Sequence, residues 1–259
     1  MLPLRGNWFK NRAMTTKKIR FIDLKPEELK GLDSPIFKNG RSLYKDAHLL
    51  VKVNDSYSSA TSLAILSTEE YVKAILILLE SEGNKIFLLK NAKSFFTGHK
   101  IRHNIAQMIE MGQGLFDTVT KWEDKKRNRR LTKGNKTFIN VVNWLDRLAG
   151  AAITMNSSKE RIEFLLTLDS LKNNGLYVDF NNELLEPNVT VDKGSFKKVL
   201  DINQRVLRFY KLLRILYNPS LSNHMAQNEI NKLKNELKDF IKVGLEGFSF
   251  SELNKIESV

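Results

Sequence analysis

Cysteine is absent from the 259-residue chain, which excludes disulfide scaffolds, thiolate zinc sites, iron–sulfur clusters and cysteine nucleophiles. A reducing cytoplasm fits that absence. With only 13 glycines and 5 prolines, collagen-like, mucin-like and elastic classes are excluded as well. The longest unbroken apolar run, Ala74 to Leu79, falls far short of the roughly 18 to 20 residues a membrane-spanning helix needs, so no membrane association is expected. Acidic residues are missing from the start of the chain. Before Asp23 stand Arg5, Lys10, Arg12, Lys17, Lys18 and Arg20, a superficial likeness to an organellar transit peptide. No apolar stretch follows these charges, so a secretory signal is not expected. Met14 offers a shorter start, and residues 1–13 are expected to be a dispensable or misassigned extension.

What is present describes a globular protein. The length suits one large domain or a domain with an appendage, and 42% hydrophobic residues suffice for a core. Lys and Arg number 42 against 29 Asp and Glu, a formal charge of +13 carried by both signs intermixed. That is a solvated surface rather than a disordered tail.

Residues 1–35 lack sustained periodicity and contain Pro3, Pro26 and Pro35, so they read as an irregular arm with one short turn near Pro26 to Leu32. Helical spacing starts at Ser42, with Leu43, Ala47, Leu50 and Val51, and ends near Asn54. A second helix from about Ser56 is apolar nearly all round: Ala60, Leu63, Ala64, Ser67, Tyr71, Ala74 and Leu78 share one face, and Ile65, Leu76 and Leu79 lie on the other. Such a helix belongs in the middle of a bundle. Gly83 and Asn84 stop it, and Ile86 to Met111 can form a third, weakened at Gly98. Residues 121–136 form a basic connector. Helical spacing returns over Phe138–Leu148, Ser158–Asn173, Ser195–Tyr217 and 226–242. Leu176 to Pro187 suggests a small hairpin. The expectation is an all-α bundle over residues 36–242, with that hairpin near 176–187 and a tail over 243–259.

Glu70 and Lys73 interrupt the most apolar stretch, where a lone charge would be expensive to bury. Glu70 with Lys73 (i,i+3) and Glu69 with Lys73 (i,i+4) are alternative pairs, and an ordinary ion pair at the bundle edge accounts for either. His99, Arg102 and His103 fall on one side of the next helix. Histidine is a general acid or base near neutral pH and arginine holds phosphate, which suits phosphodiester chemistry; from these residues by themselves a solvated basic face is the leading reading. Two histidines one turn apart lack an evident third ligand, so neither a metal nor any other cofactor is expected. Arg41 and His48 have the spacing of the Arg-x4–6-His motif of HEPN ribonucleases, a weak signal by itself.

The run Ser62 to Ala74 (SLAILSTEEYVKA), the stretch Phe96 to Arg102 (FTGHKIR), and Leu171 to Phe180 (LKNNGLYVDF) with Pro187 together resemble AbiV-type abortive infection proteins. Val72 stands where the family usually has glycine, and Arg102 where it usually has lysine. The resemblance implies a HEPN-like helical bundle in bacterial antiphage defence, causing growth arrest or translation shutdown. It implies Glu69, Glu70, Lys73, His99 and Arg102 as the functional cluster; Arg41 and His48 are not part of the family pattern and stand, with His103, as secondary candidates from spacing. A homodimer in the cytoplasm, an RNA or ribosome-associated target and a phage-encoded activator are the expected partners. Lys125, Lys126, Arg127, Arg129 and Arg130 are the expected RNA contacts. Metal-independent RNA cleavage is one activity this leaves open; a noncatalytic interaction protein binding a phage protein or ribosomal component is the rival, and a nucleic-acid-binding regulator a third reading.

Overall fold

The computed structural model describes residues 19–89, 92–99, 102–103, 105–106, 109, 164–165 and 167–247. The basic connector with Lys125, Lys126, Arg127, Arg129 and Arg130, the expected helix 138–148, and most of the arm and tail lie outside the described residues.

The fold is all-α. In chain order come α1 (Pro26–Leu29), α2 (Asp33–Asn54), α3 (Tyr57–Ser81), a 3-10 turn at Ile86–Leu88, α4 (Ala92–Thr97), α5 (Leu168–Asn174), strands β1 (Asp179–Asn181) and β2 (Glu183–Leu185), α6 (Pro187–Thr190), α7 (Lys193–Leu216) and α8 (Gln227–Gly247). β1 and β2 pair antiparallel with Phe180 opposite Leu184, and Asn182, at φ 60°, makes the turn. This is the hairpin expected near 176–187.

α3 is the central helix, and its burial on every side follows from its sequence. Ala60, Ala64, Ile65, Tyr71, Val72 and Ala74 are fully buried, as is Ile77, and Ile75 and Leu76 nearly so. Each buried Ile or Leu contributes about 1.5–3 kcal/mol of transfer free energy. α2 and α7 cover most of α3, while α1, α5 and α6 close the remainder. α2 turns back into α3 through Asp55, whose left-handed backbone (φ 51°) lets its N–H reach the carbonyls of Leu50 and Val51. The two helices then run so close at Gly40 that an added Cβ would stand 2.8 Å from the Tyr71 ring.

Three helix boundaries differ from the sequence reading. α2 begins at Asp33, not near Ser42, because Pro35 occupies the first turn, where its missing N–H has no intrahelical acceptor to lose. The expected helix from Ile86 is a 3-10 turn followed by α4, which ends before Gly98; helical positions resume at His99. α8 also runs through Gly247, past the start of the expected tail.

α7 is held to the core by polar contacts as well as apolar ones. The buried Asn203 amide donates to the Ala64 carbonyl, Ser67 Oγ and Thr68 Oγ1 at 3.2, 2.9 and 3.0 Å. Tyr210 donates its hydroxyl to the buried Asp33 carboxylate at 2.7 Å. Burial, then that bond and the adjacent negative charge, push the Tyr210 hydroxyl well above its ordinary range. Among the described residues no helix is long and apolar enough to cross a membrane.

Candidate functional site

The site grows from one buried carboxylate. Glu69 sits mid-way along α3, where helical spacing turns Ser67 and Tyr71 toward α2 and leaves Glu69 facing the segment that follows α4 and the face of α5. Ser67 Oγ donates to the Gly40 carbonyl of α2 at 2.7 Å, which fixes that rotation. The Glu69 side chain is 3% exposed and both its oxygens are engaged.

Four cationic or imidazole groups converge on it. His99 Nδ1 lies 2.6 Å from Oε2, and Arg102 reaches the same oxygen through Nη2 at 2.8 Å and Nε at 3.2 Å. His103 Nε2 lies 3.1 Å from Oε1, and Lys172 Nζ from α5 stands 3.7 Å from that oxygen and 3.0 Å from Asp169 Oδ1. Burial alone would raise the Glu69 carboxyl, but the hydrogen bonds and charges of His103 and Arg102 outweigh it and hold the group well below the usual carboxylate range. An ionised carboxylate only accepts, so His99 Nδ1 and His103 Nε2 carry the hydrogens. Arg102 Nη2, 2.9 Å from His99 Nδ1, is then a second donor aimed at the same oxygen rather than a partner of the ring. Two carboxylates, Glu69 and Asp169, face two permanent cations, Arg102 and Lys172.

Exposure separates the two histidines. His103 is 4% exposed and satisfied by Glu69, whereas the His99 side chain is 49% exposed. With Nδ1–H fixed on Glu69, the lone pair on His99 Nε2 is the proton acceptor this site can offer. Among the described residues, one buried nitrogen of Arg102, Nη1, has no hydrogen-bond partner.

The structure therefore brings Glu69, His99, Arg102 and His103 together and adds Lys172, which sequence reasoning did not single out. Lys172 lay inside the third block of the family resemblance, and its place next to Leu171 on a helix facing the core was the available signal. Glu70 and Lys73 form an ion pair with each other, and Lys73 does not pair with Glu69. Arg41 and His48 are exposed on α2, where His48 stacks edge-on against Tyr44 and Phe196; among the described residues no contact joins either to Glu69. Among the described residues no group of three or more His, Asp or Glu side chains is placed to hold a metal ion.

The family model described as AbiV matches residues 28–208, and the chain belongs to that family of abortive-infection-type HEPN proteins. No curated protein and no solved structure matches the chain.

Proposed function

We propose that this member of the AbiV family is an antiphage effector that arrests growth by acting on RNA or the translation machinery, with His99 as the working base of a metal-independent endoribonuclease. One observation carries the reading: Glu69 Oε2 holds His99 Nδ1 at 2.6 Å while the ring is half exposed. A carboxylate behind an imidazole fixes its tautomer and stabilises the cation formed when the outer nitrogen takes a proton.

In this reading His99 Nε2 removes the proton from a ribose 2′-hydroxyl. The oxygen bonds to the adjacent phosphorus as the bond to the 5′-oxygen breaks, leaving a 2′,3′-cyclic phosphate and a 5′-hydroxyl protonated by the imidazolium or water. Arg102, with Lys73 in a lesser role, offsets the negative charge that develops. Glu69, which holds His99 Nδ1, takes the orienting role. The basic residues Lys125, Lys126, Arg127, Arg129 and Arg130 would hold the RNA backbone, and the effector would work as a cytoplasmic homodimer answering a phage-encoded activator.

A second reading is favoured by the hairpin region, where Tyr177, Phe180 and Val189 are 66%, 71% and 80% exposed. Apolar side chains held this far into solvent suit a noncatalytic protein that binds a phage protein or ribosomal component. Incubating the purified chain with total RNA, with and without phage lysate, separates the two. New 2′,3′-cyclic phosphate ends that fall about a hundredfold or more in His99→Ala support the nuclease. Intact RNA under both conditions, with protection of cells unaffected by His99→Ala, supports the binding protein.

A further inference from the structure

Lys172 is a buried lysine in a short helix far along the chain from the site, yet its position is closely determined. Its carbonyl accepts a hydrogen bond from Ser62 Oγ of α3 at 2.8 Å, and Gly175, at the end of the same helix, lies against the Ser58 carbonyl. The backbone of α5 is thus pinned to the helix that carries Glu69. Its side chain is 9% exposed, and its ammonium is shared between Asp169 at 3.0 Å and Glu69 Oε1 at 3.7 Å. A buried ammonium is retained only where carboxylates offset its desolvation, and here one of the two is the carboxylate that holds His99.

We propose that Lys172 is a positioning residue that acts on His99 through Glu69: with His103 it occupies Oε1, leaves Oε2 to His99 and Arg102, and offsets negative charge beneath the imidazole. The consequence for catalysis rests on the nuclease reading; the electrostatic link does not. The groups facing His99 among the described residues are Glu69 from α3, Arg102 and His103 from its own helical stretch, and behind them Lys172 and Asp169 from α5. Removing the Lys172 charge leaves Glu69 and Asp169 with Arg102 as their one remaining permanent cation in this group. The more negative surroundings favour the imidazolium, and a ring that is already protonated cannot act as a base.

Nuclear magnetic resonance titration of the full chain, with the His99 ring signals assigned by their loss in His99→Gln, reads this without RNA. In Lys172→Met, which keeps the aliphatic packing, the midpoint of the His99 signals should lie about half a pH unit above the parent's. Lys172→Arg should return most of that shift. Asp169→Asn alters a partly exposed side chain, so it serves even if Lys172→Met does not fold. It removes a negative charge and should move the midpoint the other way. A parent-like midpoint in folded Lys172→Met, or in Asp169→Asn where Lys172→Met does not fold, overturns the proposal and leaves Lys172 as packing alone. RNA that is never cleaved counts against the nuclease reading without touching this result, and a parent-like titration in a chain that cleaves RNA defeats this proposal alone.

Discussion

Glu69 and His99, thirty positions apart in sequence, meet at 2.6 Å with the carboxylate almost wholly buried and the imidazole half exposed. Partners of such unequal burial should respond differently to removal. Glu69→Ala strands Arg102, His103 and Lys172 without their shared acceptor, and uncompensated buried charge costs about 3–5 kcal/mol. His99→Ala leaves Glu69 bonded to Arg102 and His103 and opens a position that water already reaches, so its cost stays below about 1 kcal/mol. Urea unfolding of both variants measures the contrast. Equal losses would mean that His99 is part of the buried framework.

The same carboxylate sets an acid limit on stability. Because the folded state holds Glu69 below the ordinary carboxylate range, its contribution is fully present above the unfolded value of about 4.3. It is lost as pH falls from there toward the lower folded value. The parent should therefore lose stability steeply below about pH 4, and Glu69→Gln, though weaker at neutral pH, should show a shallower acid limb. Melting temperatures taken from neutral pH down to about pH 2 compare the two slopes. Parallel slopes would remove Glu69 as a source of the acid sensitivity.

Much of this architecture is legible in local sequence. Near-continuous apolarity in Leu63–Leu79 marks α3 as central, and the alternation before Asn181-Asn182 marks the hairpin. The blocks that carry the resemblance contain Glu69, His99 and Arg102, which the fold brings into contact. Periodicity does not say which of two adjacent carboxylates turns inward: Glu69 and Glu70 stand about 100° apart on the helix, and packing of α2 at Gly40 decides between them. Nor does it pair distant segments. Lys172 with Glu69, Tyr210 with Asp33 and Asn203 with Ser67 are long-range contacts created by the arrangement of helices around α3. Pro35 misleads for a related reason, since its effect depends on whether it falls inside a helix or in its first turn.

The hairpin should be dispensable for stability. Phe180 and Leu184 face each other across the two strands yet are 71% and 59% exposed, so replacing both with serine removes little buried area. The expected change is within about 0.5 kcal/mol for each, against about 2–5 kcal/mol for Ile75→Ala in the core. Thermal melts of the double variant and of Ile75→Ala make the comparison. A loss of core size in the double variant would show that these side chains are covered in solution.

Gly175→Ala tests how tightly α5 must lie on α3. Gly175 has φ −78°, an ordinary value, so alanine meets no backbone strain and would gain about 0.4–1 kcal/mol from a less flexible unfolded chain. Space decides against it. The new Cβ would collide with Ser62 Oγ and stand 2.6 Å from the Ser58 carbonyl oxygen, a backbone atom that cannot swing aside. Ser62 also donates the buried bond to the Lys172 carbonyl, so relief by rotating its hydroxyl breaks the contact that holds α5 in register. Overpacking of this kind costs about 1–3 kcal/mol, more than the entropy gained, and the helix that yields is the one carrying Lys172. The variant should be destabilised by urea unfolding. Adding Ser62→Ala should recover part of the loss by removing the side-chain collision, and the collision with Ser58 should retain the rest. A Gly175→Ala protein as stable as the parent would mean that α5 does not approach α3 this closely.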